Sequence, residues 1–207
     1  MAEIALVHGL WNRGWMMSKM AKRLRTGGYD VRVFSYPTRA STLNGHADAL
    51  YRFLGENKTE ELHLVCHSMG GLVILNMLNR HDDLPPGRVV MMGTPVRGSG
   101  VVRRLGRLPA QKLLFGNARE DLMQGFPVLP AGRETGMIRG THAFGFGQVA
   151  GKQHEPNDGS VCVSETWLDG LKDTVELPVS HSGMLVSQEV VTQVEQFILF
   201  GRFKKDI

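Results

Sequence analysis

The chain has 207 residues, the length of one domain, and is long enough to bury a sizeable core. Hydrophobic residues make up 42%, which fits a globular protein, and no apolar run reaches the length of a membrane-spanning helix. A net charge of +4, with no accompanying nucleic-acid motif, is too slight to point to nucleic acid as a partner.

In chain order, short apolar runs alternate with amphipathic ones. Strands are predicted over 3–8, 29–35, 62–67, 88–93, 137–142 and 173–179. Most lack clean alternation, as expected of strands covered on both faces. Helices are predicted over 14–26, with Met16, Met20 and Leu24 at i, i+4, i+8, over 44–56 and over 69–80. The last helix, 187–200, has Ser187 as its N-cap, Gly201 as its stop and a stripe of Val190, Val191, Val194, Phe197 and Ile198. The alternation predicts an α/β fold: a mostly parallel sheet of about six strands with helices on both faces. Residues 1–207 read as a single domain without repeats or linkers.

Residues 96–136 break the rhythm with Gly, Arg, Pro and Leu. Lying between two strands of such a sheet, an insertion here falls at the strands' carboxyl ends, where open α/β sheets bind ligands. A small mobile cap over 99–127 is the expectation. Val101, Leu105 and Leu108 cluster on a helical wheel beside Arg103, Arg104 and Arg107. A basic amphipathic helix can lie on a membrane surface. The commoner arrangement packs the apolar side on the domain and solvates the arginines, and that is expected here.

The N-terminus M-A-E-I-A-L-V-H-G lacks a basic leader region and reads as a first strand, which favours the cytoplasm. Cys66 and Cys162 are expected as free thiols in a reducing compartment. With no C-x-x-C, a structural zinc site is not expected.

The run L-H-L-V-C-H-S-M-G-G at 62–71 carries the chemistry. An apolar strand ends in a tight turn and a helix follows at once, so Ser68 stands exposed above the sheet as a nucleophile would. Gly70 and Gly71 supply the small residues such a turn needs; on its near side stands Cys66. A serine becomes nucleophilic when a base takes its proton, and the base needs an acid to fix its tautomer. Of the eight histidines, His181 in P-V-S-H-S-G follows the last strand, where a base can reach the turn. His142 and His154 are its rivals. His67 is expected to point away by the strand's alternation. For the acid, Asp158 in the turn sequence P-N-D-G-S-V ranks above Asp169 and Asp173, because Ser68, Asp158, His181 is the serine–acid–histidine order of this kind of fold. The backbone N–H groups of Met69 and Leu10 are the candidate oxyanion donors. A metal site on His142, His154 and Asp158 is the weaker reading of the same residues.

The four motifs V-H-G-L-W at 7–11, C-H-S-M-G-G at 66–71, G-T-P-V-R-G-S at 93–99, and N-D-G-S-V followed by V-S-H-S-G-M-L, taken in that order, make the chain resemble the α/β-hydrolase superfamily on its lipase and esterase side. Two departures stand out: Cys66 occupies the first glycine position of the serine turn, and the extra N-terminal strands of larger members are missing. The resemblance implies a minimal serine hydrolase that cleaves a small-molecule acyl ester and needs no cofactor or metal. The acyl side is expected to be apolar, with Trp11, Val102 and Leu105 as candidate substrate contacts. A thioesterase or acyltransferase would use the same residues; a binding module on this fold would need none of them in working order.

Overall fold

The computed structural model describes residues 2–56, 59–145 and 154–205. Six strands, β1 (Glu3–Val7), β2 (Asp30–Phe34), β3 (Leu62–His67), β4 (Val89–Met92), β5 (Thr135–Gly140) and β6 (Asp173–Leu177), form one sheet in the order β2-β1-β3-β4-β5-β6. Every neighbouring pair is parallel. All six carboxyl ends therefore lie along one edge.

Residue parity sorts the strand side chains into two layers, because successive residues face opposite sides. Ala5, Val7, Leu64, Cys66, Val89 and Met91 pack under α2 (Leu43–Gly55) and α3 (Met69–Arg80). Ile4, Leu6, Val65, Val90, Met92 and Ile138 pack under α1 (Ser18–Thr26) and a C-terminal helix, Gln188–Phe200. The central strands β1, β3, β4 and β5 are buried at every residue, which is why their sequences do not alternate. Edge strand β6 is buried only at Leu177.

The predicted elements all form, with shifted ends. The 14–26 segment begins as a 3₁₀ turn, Gly14–Met17, and becomes α-helical at Ser18; no side chain caps its start. Strand β5 starts two residues early because Gly136 fits beneath Phe197 and Phe203, where a Cβ would lie 2.6 Å from the Phe197 ring. β6 stops before Pro178, which has no N–H to add to the ladder. The final helix is capped as read: Ser187 accepts from the Val190 N–H, and Gly201 closes it at φ 66°.

Residues 100–124 fold as three short helices, α4 (Gly100–Leu105), α5 (Gln111–Phe115) and α6 (Arg119–Gln124), so that the C-terminal helix is α7. Val101, Val102, Leu105, Phe115 and Leu122 are buried against the α2/α3 side of the core. Leu108 does not share that face and is 46% exposed. Among the described residues no helix is long and apolar enough to cross a membrane.

Candidate active site

Strands β1 and β3 are adjacent but not consecutive, since β2 lies on the far side of β1. That reversal of strand order opens a crevice at the carboxyl edge, the usual place for a site on an open α/β sheet. Ser68 follows β3 at this point, with φ 54° and ψ −129°, a conformation that non-glycine residues avoid. Its N–H donates to Met92 O at 2.9 Å, and its carbonyl accepts from Gly71 N at 3.0 Å. The strained residue is thus tied to β4 behind it and to the first turn of α3 ahead of it.

The glycines around Ser68 are demanded by contact. A Cβ on Gly9 would sit 2.6 Å from Ser68 Cβ and 3.2 Å from its Oγ. A Cβ on Gly70 would lie 2.5 Å from Val7 O and 2.8 Å from His8 O. The end of β1, the serine turn and the start of α3 are therefore in backbone contact. Cys66 is tolerated in the first motif position because its side chain points into the α2/α3 core layer, with Sγ 3.6 Å from Val90 O.

Asp158 and His181 arrive from the ends of β5 and β6. Asn157 Oδ1 accepts from Gly159 N at 2.9 Å, and Gly159 takes φ 94°. Asp158 Oδ1 accepts from Ser160 N at 2.9 Å and Val161 N at 2.7 Å. Its other oxygen, Oδ2, lies 2.6 Å from His181 Nδ1, and the His181 N–H donates to the Asp158 carbonyl at 2.8 Å. The turn chemistry of N-D-G-S-V and its acidic chemistry are one device: the turn supplies the donors that orient the carboxylate. Asp158 is 1% exposed. A carboxylate held in place by two N–H groups fixes the tautomer of the ring it faces.

Ser68 and His181 line one cavity of about 140 Å³, together with Leu10, Trp11, Val102, Phe115 and Leu122. Leu105 is absent from that lining and packs into the core behind it, because Val102 occupies the cavity-facing position one helical turn earlier. Of the other carboxylates weighed, Asp173 pairs with Lys205 at 2.9 Å and Asp169 accepts from Trp167 Nε1 at 3.2 Å, both away from His181. His142 stacks loosely on Phe144, at 6.3 Å between ring centroids.

Leu10 follows the close approach of Gly9. The next two N–H groups are engaged: Trp11 N donates to Thr38 Oγ1 and Asn12 N to Gly9 O, each at 3.2 Å. Trp11 has φ 60°, its Nε1 donates to Leu114 O at 2.7 Å, and its ring stacks on Phe115 at 5.8 Å. The indole is thus a fixed wall of the cavity. Met69 begins α3, where the first N–H groups have no partner within the helix.

The expectation that His67 points away from the site fails. Alternation does put it on the sheet face opposite Cys66, but α7 packs on that face and the loop leading to α7 carries His181. The His67 ring lines the cavity; its Nε2–H donates to His181 O at 2.9 Å and its Nδ1 accepts from Asn12 Nδ2 at 3.4 Å. Burial, then the nearby His181, holds the His67 pKa well below the ordinary histidine value, so the ring is neutral. Gly93 is a second residue whose part was missed. At φ 57°, a Cβ on it would lie 2.9 Å from Asp158 Oδ2 and 3.1 Å from His181 Nδ1. The glycine opening G-T-P-V-R-G-S leaves room for the acid–imidazole pair, a contact no local pattern announces.

Cys66 and Cys162 are both buried thiols, neither of them in a disulfide. Among the described residues, no three His, Cys, Asp or Glu side chains are grouped to hold a metal ion.

Comparison with curated proteins by sequence finds no match. Among solved structures the fold is shared with a lipase of Bacillus licheniformis in its mature form, at 18% identity, TM-score 0.69, over 96% of this chain and 91% of that one. It is shared with a metagenomic carboxyl esterase at 17% identity, TM-score 0.71, over 87% of this chain and 64% of that one. A pyrethroid hydrolase from Sphingobium faniae matches at 14% identity, TM-score 0.65, over 96% and 98%. A family model described as the alpha/beta hydrolase family matches residues 4–174, most of the chain, including Ser68 and Asp158 and ending before His181. The chain belongs to the alpha/beta hydrolase family.

Proposed function

We propose that the protein hydrolyses carboxylic esters of short acyl chains through an acyl-enzyme on Ser68. The observation that carries this reading is the left-handed Ser68 turn sharing one cavity with His181, whose Nδ1 is 2.6 Å from the buried Asp158 carboxylate. In this scheme the free imidazole nitrogen of His181 takes the Ser68 hydroxyl proton as Oγ bonds to the acyl carbon. The carbonyl oxygen gains the negative charge, and the N–H groups of Leu10 and Met69 bind it. The helix dipole of α3 adds to that stabilisation. His181 then returns the proton to the departing alcohol oxygen as the acyl–oxygen bond breaks. A water molecule, losing a proton to His181, attacks the acyl-serine, and the acid leaves as Ser68 regains its hydrogen. Asp158 holds the ring and stabilises its cationic form throughout.

Cavity size sets the acyl length. An apolar cavity of about 150 Å³ accommodates benzene. The cavity here, about 140 Å³ and walled by Val102, Phe115 and Leu122, has room for an acyl group of roughly four to six carbons. In an assay of p-nitrophenyl esters from acetate to dodecanoate, activity is expected to peak at butyrate or hexanoate. Ser68→Ala is expected to lose at least about 10⁴-fold in kcat with an unchanged melting temperature. Undiminished hydrolysis by Ser68→Ala refutes the reading.

A further inference from the structure

Beside the ester cavity runs a second, larger depression that the proposed chemistry leaves unused. It is an open groove of about 780 Å³ between the 11–13 loop, the 35–40 loop and α5. Trp11 and Asn12 line both spaces, so the groove begins where the cavity ends. An ester whose carbonyl lies at Ser68, with its acyl chain against Val102 and Phe115, directs its alcohol portion past Trp11 into this groove.

The charge of the groove is one-sided. Arg13, Arg39 and Lys112 line it, all three are exposed, and no aspartate or glutamate does. Among the described residues, none of the three takes part in an ion pair, so their charges face the groove without a carboxylate partner. A cleft lined by one sign of charge focuses the field and draws in ligands of the opposite sign.

The walls are also built firmly. Arg39 donates through Nη1 to Leu113 O, and its carbonyl accepts from Asn117 N at 3.1 Å. Asn117 Nδ2 donates to Ala40 O at 3.1 Å. Gly116, at φ 54°, lets the two walls meet: a Cβ there would lie 2.9 Å from Arg39 Cβ. The bond to Leu113 uses one guanidinium nitrogen of a group that carries five N–H donors in a planar fork. The Trp11 indole and the 75% exposed Leu113 add apolar surface beside the charges.

We propose that the groove binds the alcohol portion of the ester substrate, and that this portion bears a phosphate or carboxylate group on a small apolar body. The claim that the anion belongs to a substrate rests on the ester-hydrolase reading; the claim that the groove binds an organic anion does not.

Two measurements separate these claims. Phenyl phosphate, which has no carboxylic ester, is titrated calorimetrically into the wild-type chain and into a double variant, Arg13→Glu with Lys112→Glu. One saturable site is expected, with Kd raised at least about tenfold in the variant, a loss of about 1.4 kcal/mol. The Arg13→Gln, Lys112→Gln pair repeats the test without charge reversal. No saturable binding, or equal Kd in all three proteins, overturns the proposal. Second, kcat/KM is compared for phenyl butyrate and 3-(butyryloxy)benzoate, which differ by one carboxylate. The anionic-to-neutral ratio is expected to exceed one, to fall with added salt and to drop at least about tenfold in the charge-reversed variant. A ratio indifferent to salt and to both variants refutes an anionic substrate. If vesicles of phosphatidylglycerol raise activity in the wild type alone while the soluble pair shows no difference, the groove reads a lipid surface and the proposal fails. If neither butyrate is hydrolysed, the hydrolase reading fails while the titration still decides the groove.

Discussion

The two walls of the cavity at Ser68 are made in opposite ways. The strand-end wall presents bare glycine backbone to its neighbours: Gly9 to the Ser68 side chain, Gly70 to the carbonyls of Val7 and His8, Gly93 to the side chains of Asp158 and His181. The opposite wall, from α4 to α6, is side chain against side chain, with Val101, Val102, Phe115 and Leu122 set in the core. It is linked to the Asp158 side through Glu165, which accepts from Gly100 N and Cys162 N and pairs with Arg103 at 3.7 Å. The difference teaches where precision resides. A wall of bare glycine backbone leaves no room for an added atom, so it fixes the positions of Ser68, Asp158 and His181; a side-chain wall can be resized, so it sets what fits.

The sharpest way to break this contrast is one methyl group on the strand-end wall. Gly93→Ala forces φ 57° on a residue with a Cβ and drives that Cβ against Asp158 and His181. Displacing a catalytic group by about 1 Å costs on the order of 10² in rate. Ester turnover is therefore expected to fall about 100-fold, with a stability loss of about 1–3 kcal/mol by thermal melting. Activity within a factor of two of wild type would show that this wall has slack.

A larger change on the other wall is expected to act selectively. Val102→Trp fills space in the cavity from the wall opposite the strand ends. Hexanoate turnover is expected to drop roughly tenfold or more relative to acetate, since about 1–3 kcal/mol accompanies each methylene misfit in an apolar pocket. An equal loss on both esters would place the acyl chain elsewhere. The mobile cap expected over 99–127 meets its own check here: amide exchange across α4–α6 faster than in α7 marks a layer that opens.

The smallest effect concerns protons. The strand-end wall contains two buried histidines, His8 and His67, whereas the segment from Ser99 to Gln124 has none. His8 donates from Nδ1 to Gly9 O and accepts the Tyr36 N–H at Nε2, which requires the neutral ring. Burial first, opposed by the Gly9 contact, lowers the His8 pKa; burial and then His181 lower that of His67. A histidine pKa lowered by folding means that the unfolded chain binds the proton more readily. Stability is therefore intact above the unfolded value near 6.5 and is lost as pH falls below it, by up to about 1.4 kcal/mol per pH unit for each group. Melting temperature is expected to fall between about pH 7 and about pH 5, and His67→Gln to lessen that slope. A flat profile contradicts neutral burial of these rings.

How much of this was legible follows the same divide. The six strands, the parallel sheet, the serine turn and the final helix are local patterns: apolar runs, a cap at Ser187, Gly201 as a stop. The acid–imidazole pair was reachable because turn chemistry marked Asp158 and chain order ranked it with His181. The contacts of Gly93 and His67 were not, since each depends on which loop crosses which sheet face. Leu105 was misplaced as a substrate contact for a related reason. Periodicity gives a buried stripe on α4, but only packing decides that Val102 faces the cavity and Leu105 the core.

The central claim, a nucleophilic Ser68, is tested most directly by reacting the protein with a fluorophosphonate ester and mapping the adduct by peptide mass spectrometry. The account predicts one stoichiometric adduct on the peptide containing Cys66–Gly71, located on Ser68, and no adduct in Ser68→Ala or after prior denaturation. An adduct on Ser99 or Ser182, which line the same cavity, or none at all, would contradict it.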